Sequence, residues 1–405
     1  MDQPFKGLKV VEFAWVGVGP MTGTYLASMG ATVVRIESRT RPDPLRNMGP
    51  FKDNISGLNR SLFYNAANSN KYGFSLNMNH PQAQSVARRL IEWADVLSES
   101  YTPGTMKKWN LDYNSVKEIN PEIIYYSTAM MGQDGPYARL PGFGAQLTGM
   151  SGYTVITGWP DRLPSVPYGA YTDFINIKLA IFTLVAAMDY KRRTGRGQHI
   201  DLAQYEGGIQ FLAPLMLDYF VNNRVAERNG NRDPYYVPHG VYPCRGEDRW
   251  CAIAVGTDEQ WRAFCEVIGN PGLSVEPKFV NFETRKAHED ELDRLIGKWT
   301  EKYDAADLMQ MMQTAGVPAG LVNKPSDTFT DPQLTERRAY RKVIHPEIGG
   351  HFAFNISSAS RFSIIEPEVT HSSPCIGEHN ELICTKFLAM SRGDISRLEQ
   401  EGVFE

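Results

Sequence analysis

The sequence predicts an α/β protein with a parallel β-sheet, on the evidence of its first forty residues and of its length. Residues 8–15, LKVVEFAW, form an apolar run typical of a buried strand. A turn with the sequence VGVGP, a helical stretch and a second strand-like run at residues 31–37 follow, which is the strand–helix–strand unit of parallel sheets. The 405 residues exceed what one compact core usually serves, and this length predicts two domains.

Helices and strands continue to alternate as far as residue 220. Residues 80–94 have the spacing of an amphipathic helix, residues 94–100 and 122–132 are strand-like, and YNSVKEIN indicates a short helix. A long helical segment follows Asp173, and QHIDLAQYEGGIQFLAPLMLDYFV begins as a strand and becomes a helix. The chain up to this point is therefore expected to build most of the parallel sheet.

The character of the sequence changes at residue 221. Residues 221–235 are polar and rich in glycine and asparagine, which indicates a linker. GVYPCRGEDRWCAIAV then alternates like a β-hairpin, and two helical stretches follow it. VPAGLVNKPSDTFTDPQL resembles a return connection, and the C-terminal stretch is helical again.

Composition excludes several classes of function. Hydrophobic residues make up 42% of the chain, charged residues 22%, and the formal net charge is −4, so neither nucleic acid nor an acidic membrane surface is an expected partner. The five cysteines form no CxxC pair and are expected to be reduced intracellular thiols. With neither a signal peptide nor an apolar run long enough to cross a bilayer, the sequence predicts a cytoplasmic protein.

Two cofactor chemistries find little support. Gly17, Gly19 and Gly23 follow the first strand and Glu37 ends the second, as in a dinucleotide-binding fingerprint, but the glycine spacing differs by one residue. A tight turn explains these glycines equally well, so no dinucleotide is expected. The eight histidines are dispersed and no HExxH or paired-cysteine spacing occurs, so no metal is expected either.

Basic residues gather where strands of the predicted sheet end. Such positions are where α/β proteins bind ligands, and arginine and lysine there suit a phosphate-bearing ligand. The residues concerned are Arg35, Arg39, Arg41, Arg46, Lys107 and Lys108, with a further group at residues 191–196 for which simple solvation is the preferred interpretation.

A single acid, Asp173, stands at the head of a segment with no other charge until Lys178, and then none until Asp189. An aspartate is seldom fully buried without a partner. One interpretation is structural, with Thr172 or Asp173 capping a helix. The other is that this acid carries chemistry.

Taken together, several stretches resemble the class III (CaiB/BaiF-type) coenzyme A transferases, both in their sequences and in their order along nearly the whole chain. They include GLKVVEFAWVGVGPMTGTYLASMGATVVRIE, NSNKYGFSLNM, WADVLSESYTPGTMKKWNLDYNSVKEINPEIIYYS, GQDGPYA, TDFINIKLAIFTLVAAMDYKRRTGRGQHIDL, GVYPCRGEDRWCAIAVGTDEQW and GEHNELI. The C-terminal third matches more loosely. This series is far more specific than any single motif above.

The resemblance implies a fold and an assembly. It implies a Rossmann-like large domain made from both ends of the chain, residues 1–220 and 326–405, and a smaller α+β domain at residues 221–325. It also implies that two subunits interlock like links of a chain, as a homodimer or as a heteromer with a related subunit.

The resemblance also implies a role for Asp173. In this family the acid before the central apolar helix is the catalytic nucleophile, which attacks an acyl-CoA thioester and forms covalent aspartyl intermediates. No general base is needed, because every nucleophile in the sequence of steps is already an anion.

The family's CoA-contacting positions carry over one at a time. Ser38 stands where arginine is frequent, so that Arg39 or Arg41 is expected to supply the charge. Some members also carry a glycine run, before the strand that matches GVYPC, that closes over the intermediate; here that stretch is DPYYVPHG, so the lid is altered or absent. Leu76 is expected near the adenine, Tyr101 keeps an aromatic ring, and Lys108 is expected at the phosphates. The full set of expected CoA contacts is Val16, Gly17, Val18, Ser38, Leu76, Ser100, Tyr101 and Lys108.

Two alternatives to a catalytic CoA-transferase stay open. An α-methylacyl-CoA racemase-like isomerase would pair the acid with a histidine, but Phe143 stands at that position and Gly144 follows where an acid is frequent. A non-catalytic subunit of a heteromeric transferase is the other. His239 either faces a pocket or is structural, and with Phe143 and Gly144 it completes the candidate substrate residues.

The substrates are predicted only in outline. Phe143 and Gly144 imply a roomier and less acidic pocket than one built for very small diacids. Succinyl-CoA is the expected donor and a larger or aromatic carboxylate the expected acceptor. Carnitine-like, benzylsuccinate-like and C4–C5 dicarboxylate acceptors all remain open.

Overall fold

The computed structural model describes residues 3–354 and 359–404 and divides the chain into two compact units. The larger unit contains the chain up to residue 154, residues 166–225 and the chain from residue 333 onward. The smaller unit contains residues 155–165 and 226–332.

A six-stranded parallel sheet forms the centre of the larger unit, as the sequence predicts. Its strands are β1 (Lys9–Phe13), β2 (Thr32–Glu37), β3 (Tyr72–Ser75), β4 (Val96–Glu99), β5 (Ile124–Ala129) and β6 (Gln198–Ala203). Their order across the sheet is β3-β2-β1-β4-β5-β6, and every neighbouring pair is parallel. Strand order reverses between β1 and β4, and ligands bind at such a switch point, outside the carboxyl ends of the strands.

The strands form where β-branched and aromatic residues concentrate. Val10, Val11 and Phe13 of β1 are fully buried. Val11 and Phe13 belong to one apolar cluster and Val10 to another, which is the pattern of a parallel strand covered on both faces. Strand β3 is four residues long, which is too short for periodicity alone to predict.

Ten α-helices lie between residues 18 and 222, and most of them belong to the larger unit. They are α1 (Val18–Ser28), α2 (Leu62–Ala67), α3 (Pro81–Trp93), α4 (Thr105–Lys108), α5 (Tyr113–Ile119), α6 (Gly144–Met150), α7 (Tyr153–Ile156), α8 (Tyr171–Thr194), α9 (Gln204–Gln210) and α10 (Ala213–Asn222).

Helix α8 runs for 24 residues without a glycine or a proline and ends at Gly195, whose left-handed backbone is a usual helix terminator. By length and composition alone this helix could cross a membrane, whereas the sequence-based prediction found no apolar run long enough to do so. Core helices of soluble proteins meet the same criterion, so one such helix is weak evidence for a membrane.

The smaller unit combines an antiparallel sheet with four helices. The predicted hairpin is confirmed, because its two strands pair antiparallel, and a third strand joins them. The elements are β7 (His239–Pro243), β8 (Trp250–Ala254), α11 (Asp258–Val267), α12 (Phe282–Ala287), α13 (Glu289–Thr300), α14 (Ala305–Thr314) and β9 (Ala319–Val322). A separate apolar cluster around Trp261 and Phe264 forms the core of this unit.

The C-terminal segment returns to the larger unit. It contains α15 (Pro332–Glu336), the hairpin β10 (Tyr340–His345) and β11 (Gly349–Phe354), α16 (Asn380–Leu382) and α17 (Arg392–Gln400). The side chain of Asn380 accepts a hydrogen bond from the Ser75 backbone N–H, with an N–O distance of 2.9 Å. This contact ties the segment to the edge strand β3.

The compact units differ from the predicted domain limits. The units divide at 225/226 and at 332/333, whereas the sequence analysis placed boundaries at 220/221 and 325/326. Residues 155–165, predicted within the large domain, group with the smaller unit. Backbone hydrogen bonding explains this, since the N–H of Gly230 donates to the carbonyl of Gly158 at 2.9 Å. Such a long-range bond leaves no mark on local sequence patterns.

Candidate active site

A cavity of about 540 Å³ opens at the carboxyl ends of the central strands, near the switch point between β1 and β4. Its walls come from the β1–α1 turn, the residues after β2, β4 and β5, and the segments that begin α6 and α8. Asp173 lies in this wall. The topology therefore brings an acid and several strand ends together from across the chain.

The Asp173 carboxyl is buried and lacks the partner that buried acids usually have. Asp173 is 8% exposed, and its Oδ1 has no hydrogen-bond partner among the described residues. Burial raises the pKa of Asp173 from 3.8 to about 6. At neutral pH the group is therefore still a carboxylate, and it is poorly solvated, which favours its use as a nucleophile.

The helix-capping interpretation of Asp173 is wrong. The residue at the N-cap of α8 is Ala170, and no side chain caps the helix there. Asp173 lies inside the first turn, where the positive end of a long helix stabilises a negative charge. Thr172 is fully buried and lies near Thr148 instead, with their hydroxyl oxygens 3.3 Å apart.

Two glycines lie directly against the Asp173 carboxyl. A methyl group placed on Gly17 would lie 2.8 Å from Asp173 Oδ2, and one placed on Gly144 would lie 2.5 Å from Oδ1. Both distances are shorter than nonbonded contacts allow. Only glycine at these two positions lets the backbone of the β1–α1 turn and of α6 approach the carboxyl from both sides.

The β1–α1 turn has an unusual backbone at Val16. Its φ of +66° lies in the left-handed region, which costs a β-branched residue on the order of 1–3 kcal/mol. The Val16 N–H donates to both carboxylate oxygens of Asp43, at 3.1 and 3.3 Å. The Trp15 N–H donates to Ser100 Oγ at 2.8 Å. Side chains from two other segments thus stabilise the strained turn.

Aromatic rings and two cations lie along the other walls of the cavity. The rings of Trp15 and Tyr101 meet edge to face at 5.0 Å, and Tyr101 meets Trp109 in the same way at 5.7 Å. The Arg41 guanidinium lies 5.5 Å from the centre of the Trp15 ring, and Lys108 also lines the cavity. Flat apolar surfaces next to cations suit a ligand that carries both rings and phosphates.

The structure brings eleven of the twelve predicted site residues to this cavity. They are Val16, Gly17, Val18, Ser38, Leu76, Ser100, Tyr101, Lys108, Phe143, Gly144 and Asp173. The twelfth, His239, begins β7 in the smaller unit, where its Nδ1 lies 2.5 Å from the carbonyl oxygen of Asn231. A substrate role for His239 stays a prediction.

Several wall residues were not predicted from the sequence. Thr128 and Ala129 end β5, Met130 follows it, and Gln204 begins α9. The Gln204 side-chain amide donates to Thr128 Oγ1 at 3.2 Å. A usable signal existed, because the carboxyl end of any strand of a parallel sheet is a candidate wall position.

Phe143 lies at the mouth of the cavity with 58% of its surface exposed. Among the described residues that line the cavity there is no histidine. A phenyl ring cannot transfer a proton, so these walls supply Asp173 with no histidine partner for proton transfer at carbon.

The fold and the cavity define an α/β enzyme in which a buried carboxylate lines a cavity that also contains two cationic side chains. Comparison with known proteins then defines the family. The model of CoA-transferase family III matches residues 5–380, and the chain belongs to this family. It is therefore a CoA-transferase, and coenzyme A takes part as a substrate.

Similar proteins cover nearly the whole chain. The succinyl-CoA–D-citramalate CoA-transferase of Chloroflexus aurantiacus is 30% identical over 99% of this chain and 98% of its own. The succinate–glutarate CoA-transferase of Agrobacterium fabrum is 32% identical over 96% and 97%. A crystal structure of a CAIB/BAIF family protein from Brucella suis superposes with a TM-score of 0.88 at 31% identity, covering 96% of this chain and all of that one.

Proposed function

We propose that this enzyme moves CoA from an acyl-CoA donor to a carboxylic acid through covalent intermediates on Asp173. The observation that carries the proposal is the buried Asp173 carboxylate, which lies against two glycines and has no described hydrogen-bond partner on Oδ1. A nucleophile needs a free lone pair and close access, and this group has both.

The first half of the reaction loads the enzyme. An Asp173 oxygen attacks the thioester carbonyl, the C–S bond breaks, and CoA thiolate leaves with the electron pair. The product is a mixed anhydride. The thiolate then attacks the Asp173 carbonyl and expels the donor acid as a carboxylate, which leaves an aspartyl-CoA thioester.

The second half repeats these steps with the acceptor. Its carboxylate attacks the aspartyl thioester and releases CoA thiolate, and the thiolate attacks the acceptor carbonyl of the new anhydride. Asp173 is regenerated as a carboxylate and no proton is consumed. Because water would hydrolyse the anhydride, the burial of Asp173 also protects the intermediate.

The donor and acceptor are proposed from the cavity and from the relatives. Both relatives described above carry a succinyl-CoA or succinate name, which supports succinyl-CoA as the donor. Met130 and Phe143 line the cavity together with Asp173, and Gly144 adds no side chain to the wall beside it. These uncharged walls support a larger or aromatic carboxylate as the acceptor, with neither metal nor dinucleotide required.

A trapping experiment tests the aspartyl intermediate. Enzyme given succinyl-CoA without an acceptor should accumulate the aspartyl-CoA thioester, because exchanging one thioester for another is nearly balanced. Mild hydroxylamine should then convert Asp173 to a hydroxamate and inactivate the enzyme. Peptide mass spectrometry should locate the change between Pro167 and Lys178.

Untreated enzyme and the Asp173→Asn variant are the controls and should resist hydroxylamine. A racemase-like isomerase never breaks the thioester, so it would show no sensitivity and would instead exchange the substrate α-proton with deuterated solvent. That result would overturn the transferase mechanism.

The CoA phosphates are proposed to bind at Arg41 and Lys108. The sequence left Arg39 and Arg41 open as replacements for the charge missing at Ser38, and Arg41 is the one that lines the cavity. Arg39 donates instead to the carbonyl of Ile376 at 3.4 Å.

Arg41→Ala should therefore weaken CoA binding about tenfold, since charge-assisted hydrogen bonds contribute roughly 1.5–3 kcal/mol. Arg39→Ala is the matched control and should change the dissociation constant less than twofold. Isothermal titration with CoA at two salt concentrations measures both, and the Arg41 effect should shrink at high salt. Equal losses in the two variants would contradict this assignment.

The assembly is proposed to be an interlocked homodimer, or a heterodimer with a related subunit. Support comes from apolar side chains that the single chain leaves in solvent, since patches of this kind mark protein interfaces. Phe182 on α8 is 73% exposed, and Phe220 on α10 is 84% exposed.

Interlocked chains must unfold in part before they separate. Light scattering should consequently give a dimer mass at every dilution down to nanomolar concentration, while Phe182→Asp with Phe220→Asp should lower the yield of dimer sharply. A folded and active monomer of the unaltered protein would contradict the proposal.

A further inference from the structure

A cluster of buried charges lies behind the β1–α1 turn, and the reaction steps above do not use it. Glu12, Arg35, Asp43 and Lys71 are each fully buried. The Arg35 guanidinium pairs with Asp43 and with Glu12, the latter at 2.8 Å, and Lys71 Nζ pairs with Glu12 at 2.8 Å. Burying four charges is costly unless each is paired. We therefore expect this cluster to have a role in the protein.

The cluster holds the turn at successive points. Asp43 accepts from the Val16 N–H, and the Lys71 ammonium donates to the carbonyl of Pro20 at 2.6 Å, in the first turn of α1. Between these two points lies Gly17, the residue that lies against Asp173 Oδ2. The buried charges thus stabilise both sides of the backbone that approaches the proposed nucleophile.

Asp43 connects this cluster to two backbone N–H groups. Its two oxygens accept from the N–H groups of Val16 and Leu45 and from the Arg35 guanidinium. An amide in its place would offer one acceptor oxygen and would turn an NH₂ group toward other donors. Without these bonds, the left-handed backbone at Val16 loses its support.

We propose that Asp43 is a positioning residue for the transfer reaction: it holds Val16 in the left-handed conformation and so keeps Gly17 against the Asp173 carboxylate. The inference rests on the proposed function. Other charges that face Asp43 belong to the same cluster, with Glu37 Oε1 accepting from the Asp43 N–H at 3.0 Å. Asp43 does not touch the reacting atoms, so it acts through the turn.

The test compares Asp43→Asn in two backgrounds, with valine or glycine at position 16, which differ in the cost of the left-handed backbone there. Asp43→Asn should slow formation of the hydroxylamine-sensitive adduct by about 10- to 100-fold at saturating succinyl-CoA, because small displacements of reacting groups cost this much. Val16→Gly removes the need for support, because glycine adopts a positive φ freely. In the Val16→Gly background the same Asp43→Asn change should slow the adduct less than threefold, by the same physical argument.

Glu37→Gln is the matched control. It removes a neighbouring buried negative charge, which pairs with Arg35 and Arg46. Glu37 has no described contact with Val16, so the effect of this variant on the adduct rate should be the same in both backgrounds. If Asp43→Asn does not fold, Asp43→Glu replaces it. That variant keeps the buried charge but displaces the carboxylate by one methylene from the Val16 N–H, and its slower adduct formation should likewise be rescued by Val16→Gly.

The outcomes separate the inference from the function on which it rests. If Asp43→Asn forms the adduct as fast as the unaltered enzyme, or if it slows adduct formation equally in both backgrounds, Asp43 is a purely structural residue and the inference is overturned. Unaltered enzyme that forms no hydroxylamine-sensitive adduct would overturn the proposed function itself.

Discussion

Replacing Asp173 by alanine should abolish CoA transfer while leaving CoA binding nearly unchanged. Loss of a covalent nucleophile is expected to lower kcat by at least about 10⁴-fold. Asp173→Glu keeps the charge but displaces it by one methylene, which should cost about 10²-fold. The proposed CoA contacts are the aromatic and cationic walls and do not include the carboxyl, so the dissociation constant of CoA should change little.

Single-turnover kinetics with succinyl-CoA and calorimetric titration with CoA measure these two quantities separately. Turnover like that of the unaltered enzyme in Asp173→Ala would remove Asp173 from the mechanism. A variant that lost both turnover and CoA affinity would instead indicate a binding role.

The pH profile gives an independent check on the same residue. Burial raises the pKa of Asp173 to about 6, so the carboxyl becomes protonated, and loses its nucleophilicity, as pH falls below that value. The kcat/KM for the donor should then fall about tenfold per pH unit on the acid side. In Asp173→Glu the midpoint of this profile should move, because the titrating group has changed.

The same raised pKa makes Asp173 a cost to stability. The folded protein holds the proton more tightly than the unfolded chain, so the unfavourable contribution is fully present above about pH 6 and disappears as pH falls toward 3.8. Asp173→Asn should therefore melt at a higher temperature than the unaltered protein at pH 7.5, and the difference should vanish near pH 4. A dead but more stable variant is the behaviour expected of a functional buried charge.

Replacing Gly144 by alanine should have the second largest effect. The added methyl group would lie 2.5 Å from Asp173 Oδ1 and 2.5 Å from the Cβ of Ala170, and both are closer than atoms can approach without movement. Since the carboxyl or the start of α8 must shift, we expect transfer to fall by at least about 10²-fold. Formation of the hydroxylamine-sensitive adduct should fall in parallel.

The same helix provides a matched control. Gly149 is exposed, and a methyl group there would meet only Thr154 Oγ1, at 3.7 Å, which is ordinary contact. Gly149→Ala should leave activity intact and stabilise α6 slightly, since alanine favours helix more than glycine does. If the two variants behave alike in transfer assays, close approach at Gly144 is not what the reaction requires.

Much of the fold could be predicted from local patterns. The strands β1 and β2, the helix between them, the long helix after Asp173 and the hairpin of the smaller unit are all present where periodicity indicated them. Each depends on interactions between near neighbours in sequence, which a period of two or of 3.6 residues records directly. The four-residue β3 and the β10–β11 hairpin were not predicted.

The candidate site, too, could be predicted from the sequence only in part. A lone acid before an apolar helix, together with the family resemblance, was enough to single out Asp173 and ten other residues that line the cavity. The placement of residues 155–165 in the smaller unit was not visible, because it depends on hydrogen bonds to residues some seventy positions away, such as that from Gly230 to Gly158.

The sequence by itself determined the alternation of strands and helices in the first half of the chain, the family resemblance, and the acid on which the proposed chemistry depends. Only the tertiary structure decided that Gly17 and Gly144 lie on either side of that acid, that Arg41 rather than Arg39 lines the cavity, and that Asp43 supports Val16. The physical reason is the range of the interactions. Residue patterns record contacts within one helix or strand, whereas these contacts join segments that only the packing of the sheet and its helices brings together.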